Sequence, residues 1–187
     1  MSTTQTISIE QFWEEYADSD EGRYEYDDGQ LIELPMPDWL HGIIVQRICL
    51  LLGQKYPAFF AAPEVDAKVS PQQVRRPDVA VQLASKVQTR YPEPDAPIYL
   101  AIEVLSPGGA VGHRRSVPKT FPETVAKYQK SYVPWGVPYC WILDPHSRTA
   151  WHSANEFREP VAELAAAEIR LACAEIFSAL DNLPSAR

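Results

Sequence analysis

Two acidic residues are set inside runs that otherwise read as buried β-strands, and they limit what this chain can become. Asp78 lies in Arg-Arg-Pro-Asp-Val-Ala-Val and Glu103 in Tyr-Leu-Ala-Ile-Glu-Val-Leu. An ionised carboxylate inside a sheet is costly unless a cation, a metal or hydrogen bonds compensate it. Twenty-five positions separate the two acids, enough for the chain to leave one strand and return on its neighbour. Such a return would bring both carboxylates within reach of one ion. Hard oxygen ligands of this kind suit Mg²⁺ or Mn²⁺, completed by water and a substrate phosphate. An ion held there can activate water and neutralise charge developing on a phosphodiester. The alternative is structural: each acid sits at a strand end and pairs with an arginine.

The surrounding pattern predicts a mixed α/β fold, with a central mixed β-sheet flanked by helices. Ser8 with Gln11 resembles a capping box, and Ile9, Phe12, Trp13 and Tyr16 recur at helical spacing, which predicts a helix over 9–17. Arg23 to Tyr26 and Gln30 to Leu34 flank the hairpin turn Asp28-Gly29. Asp38 caps a second helix over 39–55, whose apolar stripe is Leu40, Ile43, Ile44, Ile48 and Leu51. Strands are predicted at 64–70, 75–83 and 98–105. Ser106 to Thr120 reads as a long loop, and Thr120 with Glu123 caps a helix over 121–132. A hairpin of 139–143 and 148–152, a strand at 169–171 and a helix over 173–180 complete the chain. No linker or repeat interrupts the 187 residues, which read as one domain. Its parts are an N-terminal helix and hairpin at 8–35, a core at 38–155 and a C-terminal strand and helix at 165–181.

Charge excludes some partners. Lys and Arg number 17 against 25 Asp and Glu, so the net charge of −8 rules out a polycation that grips nucleic acid by bulk attraction. The acids crowd the first 40 residues, which hold eleven of them and one base, Arg23. Residues 71–130 carry a net +4, with paired arginines at Arg75–Arg76 and Arg114–Arg115. A polyanionic partner is expected on that middle segment, although short charge runs also simply solvate loops. Cys49, Cys140 and Cys173 are odd in number and far apart, which fits a reducing, cytoplasmic setting rather than a disulfide framework. The most apolar run, Ile43 to Leu52, contains Gln46 and Arg47 and is too short to span a bilayer. Gly108 to Gly112 lacks the Gly-Lys-Ser/Thr ending of a phosphate loop. The four histidines lack paired metal-ligand spacing and read as surface or capping groups. No nucleophile–base motif points to acyl transfer.

The ordered segments Pro77-Asp78-Val79, Glu103-Val104-Leu105-Ser106-Pro107, a lysine on the next helix, and Gly136-Val137-Pro138-Tyr139-Cys140-Trp141-Ile142-Leu143-Asp144-Pro145 resemble the Uma-two family. That family belongs to the PD-(D/E)XK, restriction-endonuclease-like superfamily. Arg23-Tyr24-Glu25-Tyr26-Asp27-Asp28-Gly29 is similar to the family's R-Y-E-x-x-x-G segment, and His41-Gly42 to the helix start that follows it. The resemblance covers residues 8–180 and implies a restriction-endonuclease-like core. It further implies a divalent-metal-dependent endonuclease that hydrolyses DNA, with Asp78 and Glu103 holding Mg²⁺ or Mn²⁺.

A lysine is then needed to orient the attacking water or meet the developing charge. The simple E-x-K position is Leu105, so the resemblance moves the lysine to the following helix. There Glu123-x-x-x-Lys127 resembles the family's D-x-x-x-K, making Lys127 the choice and Lys130 the reserve. The stretch from Lys127 to Gly136 is one residue longer than the family spacing, and Glu123 with Lys127 is also an ordinary i,i+4 pair. Glu25 is implied as a further acid near the metal, or is a solvated hairpin residue. Arg75, Arg76, Arg114, Arg115 and Lys119 could flank a DNA backbone, and a homodimer would enlarge that basic face. The missing E-x-K lysine and the acidic balance favour a second reading, a non-catalytic nuclease-like binding or scaffolding module, dimeric in form.

Overall fold

Proline and the strand alternation divide most of this chain between two larger sheets, joined by two short connections at residues 64–66 and 76–78. The structure, a computed structural model, describes residues 6–20, 22–87, 91–111, 114–116, 118–181 and 183. The N-terminal half runs α1 (Ile9–Glu15), β1 (Tyr24–Asp27), β2 (Gln30–Glu33), α2 (Trp39–Lys55), β3 (Phe59–Pro63), β4 (Ala67–Ser70), β5 (Gln73–Arg75) and β6 (Val79–Leu83). Beyond it lie β7 (Leu100–Val104), β8 (Gly109–Val111), β9 (Arg114–Ser116), α3 (Phe121–Lys127), α4 (Val133–Trp135), β10 (Tyr139–Asp144), β11 (Thr149–His152), β12 (Glu163–Ala166), β13 (Ile169–Ala172) and α5 (Cys173–Phe177). A four-stranded sheet has the order β2-β1-β5-β4 and a five-stranded sheet the order β11-β10-β7-β6-β3. The larger sheet is mixed, because β10 runs parallel to β7 while β6 runs antiparallel to it. This is the mixed α/β architecture that the sequence predicts.

Alternation along β7 divides its side chains between two cores. Leu100, Ile102 and Val104 face α2 and α5, together with Trp141 and Leu143 from β10. Ala101 and Leu105 face the other way, toward Tyr132, Trp135 and Val137. A third, smaller core holds α1 on the four-stranded sheet through Phe12, Tyr26 and Val74. The β1–β2 turn takes positive φ at Asp28 and Gly29, as Asp-Gly predicts. Among the described residues no helix is long and apolar enough to cross a membrane.

Several boundaries depart from the sequence pattern. The predicted strand 75–83 is two strands in different sheets, because Pro77 has no N–H for a ladder and turns the chain between them. The predicted strand 64–70 begins only at Ala67, and β3 precedes it as an unpredicted edge strand carrying the exposed Phe60. The predicted loop 106–120 contains the β8–β9 hairpin, and β12 pairs with β13 as a second one. The predicted helix 121–132 is α-helical only to Lys127. Tyr128–Tyr132 form a π-turn, closed by the Val133 N–H donating to the Tyr128 carbonyl. Pro134 explains the change: it has no N–H for the Lys130 carbonyl, and its ring crowds that group, so the α-ladder cannot continue. Gly136 then stops the helix at φ 95°, a left-handed geometry that favours glycine.

Ile102 is fully buried in the large core, whereas Phe60 stands in solvent. Ile102→Ala is expected to cost about 2–5 kcal/mol in urea denaturation, and Phe60→Ala less than about 0.5 kcal/mol.

Candidate active site

The site is built where β6 and β7 lie side by side. Val79 pairs with Ile102 and Ala80 with Ala101, so one further step of that register sets Asp78 opposite Glu103. Both acids are buried. Carboxylates across a ladder have Cβ atoms about 5 Å apart, and their repulsion demands cations. Two lysines supply them. The Lys119 ammonium forms ion pairs with Asp78 Oδ2 and Glu103 Oε2. Lys127 lies 2.9 Å from Glu103 Oε1 and 2.6 Å from Glu25 Oε1.

Other elements complete the shell. The Val104 amide donates to Asp78 Oδ2 at 2.5 Å, and His41 Nε2, on the first turn of α2, lies 3.2 Å from Asp78 Oδ1. The Tyr132 hydroxyl donates to Glu103 Oε1 at 2.6 Å. The Arg76 amide donates to Glu25 Oε1 at 2.8 Å, while Arg75 Nη1 lies 3.6 Å from Glu25 Oε2. Glu103 Oε2 meets the Lys119 ammonium as an ion pair.

The π-turn makes two of these contacts compatible. Residues five apart on an α-helix point about 140° away from each other. The widened turn brings Lys127 and Tyr132 round to the same carboxylate. Ser131, within that turn, accepts from Arg75 Nε at 2.9 Å and ties the helix to the smaller sheet.

The charge balance fixes protonation. Burial pushes the Asp78 carboxyl up, but Lys119 and the His41 contact overcome this and hold it far below the usual carboxylate range. Glu25 is likewise raised by burial and then held below that range by Lys127 and Arg75. Burial weakens the Lys119 proton, and Asp78 and Glu103 more than restore it, leaving its pKa raised. The Tyr132 hydroxyl is driven well above its ordinary value by burial and by Glu103, so it remains a donor.

The structure therefore brings together Asp78, Glu103, Lys127 and Glu25. Lys130 is exposed and takes no place in the cluster. Glu123 does not pair with Lys127; its carboxylate accepts from the Thr120 hydroxyl at 2.7 Å as a helix cap. Arg75 corrects the expectation of a DNA-facing pair: it is buried, with Nη2 2.6 Å from Asp27 Oδ2. Arg76 is held by Asp66 through two contacts of 2.6 and 2.7 Å. Arg114 and Arg115 lie on β9, and their side chains fall outside the described residues. His41 is no surface group; it is buried against Asp78. The signals for it were the Asp38 cap and its place on the first turn of an apolar-striped helix. Lys119, which falls in the expected loop 106–120, and Tyr132, the last residue of the expected helix 121–132, also belong to the shell.

Above Asp78 a pocket of about 10 Å³, room for about one water, is lined by residues including Arg23, Pro37, His41, Arg76 and Lys119. A larger apolar hollow of about 210 Å³ lies between Phe60, Ala80, Val87 and Ile98, and none of the clustered residues lines it.

The Uma2 family, described as "Putative restriction endonuclease", matches residues 9–171. The chain belongs to the Uma2 family. Its fold is similar to a crystal structure of "a putative nuclease belonging to DUF820" from Anabaena variabilis. The TM-score is 0.67 and the identity 19%, over 93% of this chain and 99% of that one. No curated protein matches the chain.

Two measurements follow from the geometry. Tyr132→Phe removes a bond to a buried carboxylate and is expected to cost about 1.5–3 kcal/mol in urea denaturation. Asp78 and Glu25 are ionised in the folded chain below the pH at which they protonate when unfolded. Their stabilisation is therefore complete above the ordinary carboxylate range near pH 4 and drains away as the pH falls below it. Burial raises Asp66 and gives it the opposite sign, offsetting part of this loss. Urea midpoints are expected to fall between about pH 5 and 3, and to fall less steeply in Asp78→Asn.

Proposed function

We propose that this Uma2 protein is a divalent-metal-dependent nuclease that hydrolyses phosphodiester bonds in DNA. The observation that carries the reading is the placement of Asp78 and Glu103 on neighbouring strands, their oxygens converging on a single cationic centre beside Lys127. The donor set suits Mg²⁺ or Mn²⁺. Asp78 Oδ2 and Glu103 Oε2 already share one cation. Among the described residues no group of three or more His, Cys, Asp or Glu forms a ready metal cage. Two protein oxygens leave the remaining positions to water and substrate, which is the usual way Mg²⁺ is held.

Asp78 and Glu103 would hold the ion, which when bound supplies a more acidic water and positive charge at the phosphorus. Lys127 is held between Glu103 and Glu25, so its position is fixed before substrate arrives. It would orient the attacking water through the N–H now given to the Arg76 carbonyl at 3.4 Å, and offset charge growing on the phosphoryl oxygens. Glu25 acts through Lys127 and is a positioning residue. His41 fixes the rotamer of Asp78 from the far oxygen. Arg23, Arg76 and Lys119 line the pocket above Asp78, Arg23 and Arg76 each with a carboxylate partner of its own, Glu64 and Asp66.

One observation favours the competing reading of a nuclease-like binding module: the buried carboxylates are already balanced by lysines without any added ion. The two readings divide on activity. With Mn²⁺ or Mg²⁺ the purified chain is expected to cut DNA, EDTA to stop it, and Asp78→Asn and Glu103→Gln each to reduce it to background. Lys127→Met is expected to slow cutting by about 10²–10³-fold, the range for losing one preorganised electrostatic donor. Cutting that survives Asp78→Asn would refute the assignment.

A further inference from the structure

We infer that Lys119 is an internal competitor of the divalent ion, an ammonium that bridges Asp78 and Glu103 and must leave them before the ion can be held. The inference rests on the metal-dependent reading and concerns how that site is loaded. The ammonium meets one oxygen of each acid, Asp78 Oδ2 and Glu103 Oε2, from a side chain that is only 14% exposed. A cation that shares two carboxylates does what the ion would do, so the two cannot be accommodated together at those oxygens.

Charge points the same way. Glu25, Asp27, Asp78 and Glu103 face Lys119, Lys127 and Arg75, four negative groups with three positive ones. A divalent ion added to this set turns a net charge of −1 into +1 in a region poor in solvent, which is costly. Exchange of the ammonium for the ion leaves the set balanced, and the released ammonium is then free to meet the negative charge of a phosphodiester. Ion and phosphodiester would accordingly favour each other's binding.

The two lysines are held differently. Lys127 touches Glu25, Glu103 and the Arg76 carbonyl, and its three partners lie on separate strands or at a strand end. The Lys119 backbone is fixed by a bridge to Ser106, whose carbonyl accepts from its amide at 2.9 Å. Among the described residues its ammonium is held by the two acids, with no backbone carbonyl beside them. The backbone can therefore stay in place while the side chain swings. Lys119 already lines the pocket shared with Arg23 and Arg76. An ammonium released from the acids stays beside the route that a phosphate would take, and can meet that phosphate there.

Calorimetric titration of the full-length chain with Mn²⁺ tests this, using wild type, Lys119→Met, and Asp78→Asn in each background. Lys119→Met is expected to bind Mn²⁺ at least tenfold more tightly, and Asp78→Asn to abolish binding in both backgrounds. An uncleaved deoxydinucleotide is expected to tighten Mn²⁺ binding by the wild type several-fold. Equal or weaker Mn²⁺ affinity in Lys119→Met, with binding still lost in Asp78→Asn, overturns the competitor role and leaves the metal site standing. Binding that Asp78→Asn does not disturb overturns the metal site and the competitor role with it. If Lys119→Met is unfolded alone, circular dichroism with added Mn²⁺ decides: recovery of the fold supports the exchange, and no recovery refutes it.

Discussion

Like charges facing each other across a sheet ladder dictate the rest of this molecule. Asp78 and Glu103 are brought opposite by the β6–β7 register, and neither can escape to water. At an effective protein dielectric of about 20, two such charges about 5 Å apart repel by roughly 3 kcal/mol, before any cost of burial. Proteins generally avoid this arrangement or protonate one partner. Here the acids are kept company by ammonium groups from two different segments, and the chain spends much of its loop architecture delivering those groups.

Each delivery has a visible structural cause. The hairpin β1–β2 carries Glu25 to the junction of the two sheets, where the Arg76 amide and Lys127 receive it. The connection Arg76-Pro77-Asp78 passes from one sheet to the other, so β5 and β6 cannot shift independently without moving Asp78. The Ser106–Lys119 bridge closes the base of the β8–β9 hairpin and sets Lys119 beside both acids. The two sheets are thus coupled through charged groups as much as through the apolar cores. A change at Ser131 or Asp27 would reach the site through Arg75.

The fold class was legible because hydrophobic period and proline punctuation are local signals. Asp78 and Glu103 were legible for a related reason: an acid amid Val, Ile and Ala stands out. The three-dimensional partners were less so. Arg75 and Arg76 stand next to Asp78 in sequence, yet strand alternation and the turn at Pro77 send both to other carboxylates. His41 is far from Asp78 in sequence, and only the packing of α2 brings them together. Lys119 carries no local mark, since a lysine in a Pro- and Gly-rich stretch reads as solvated. The β8–β9 hairpin and β3 were missed because three- and five-residue strands give periodicity too little length to register.

The widened turn at Tyr128–Tyr132 bears on how such chains are found. An extra residue taken up as a bulge leaves the lysine before it and the tyrosine after it still aimed at one acid. The helix thereby works as a slack-absorbing spacer. A search template that insists on a fixed count between the lysine and Gly-Val-Pro would discard sequences whose three-dimensional arrangement is intact, and one that tolerates a single insertion there would keep them.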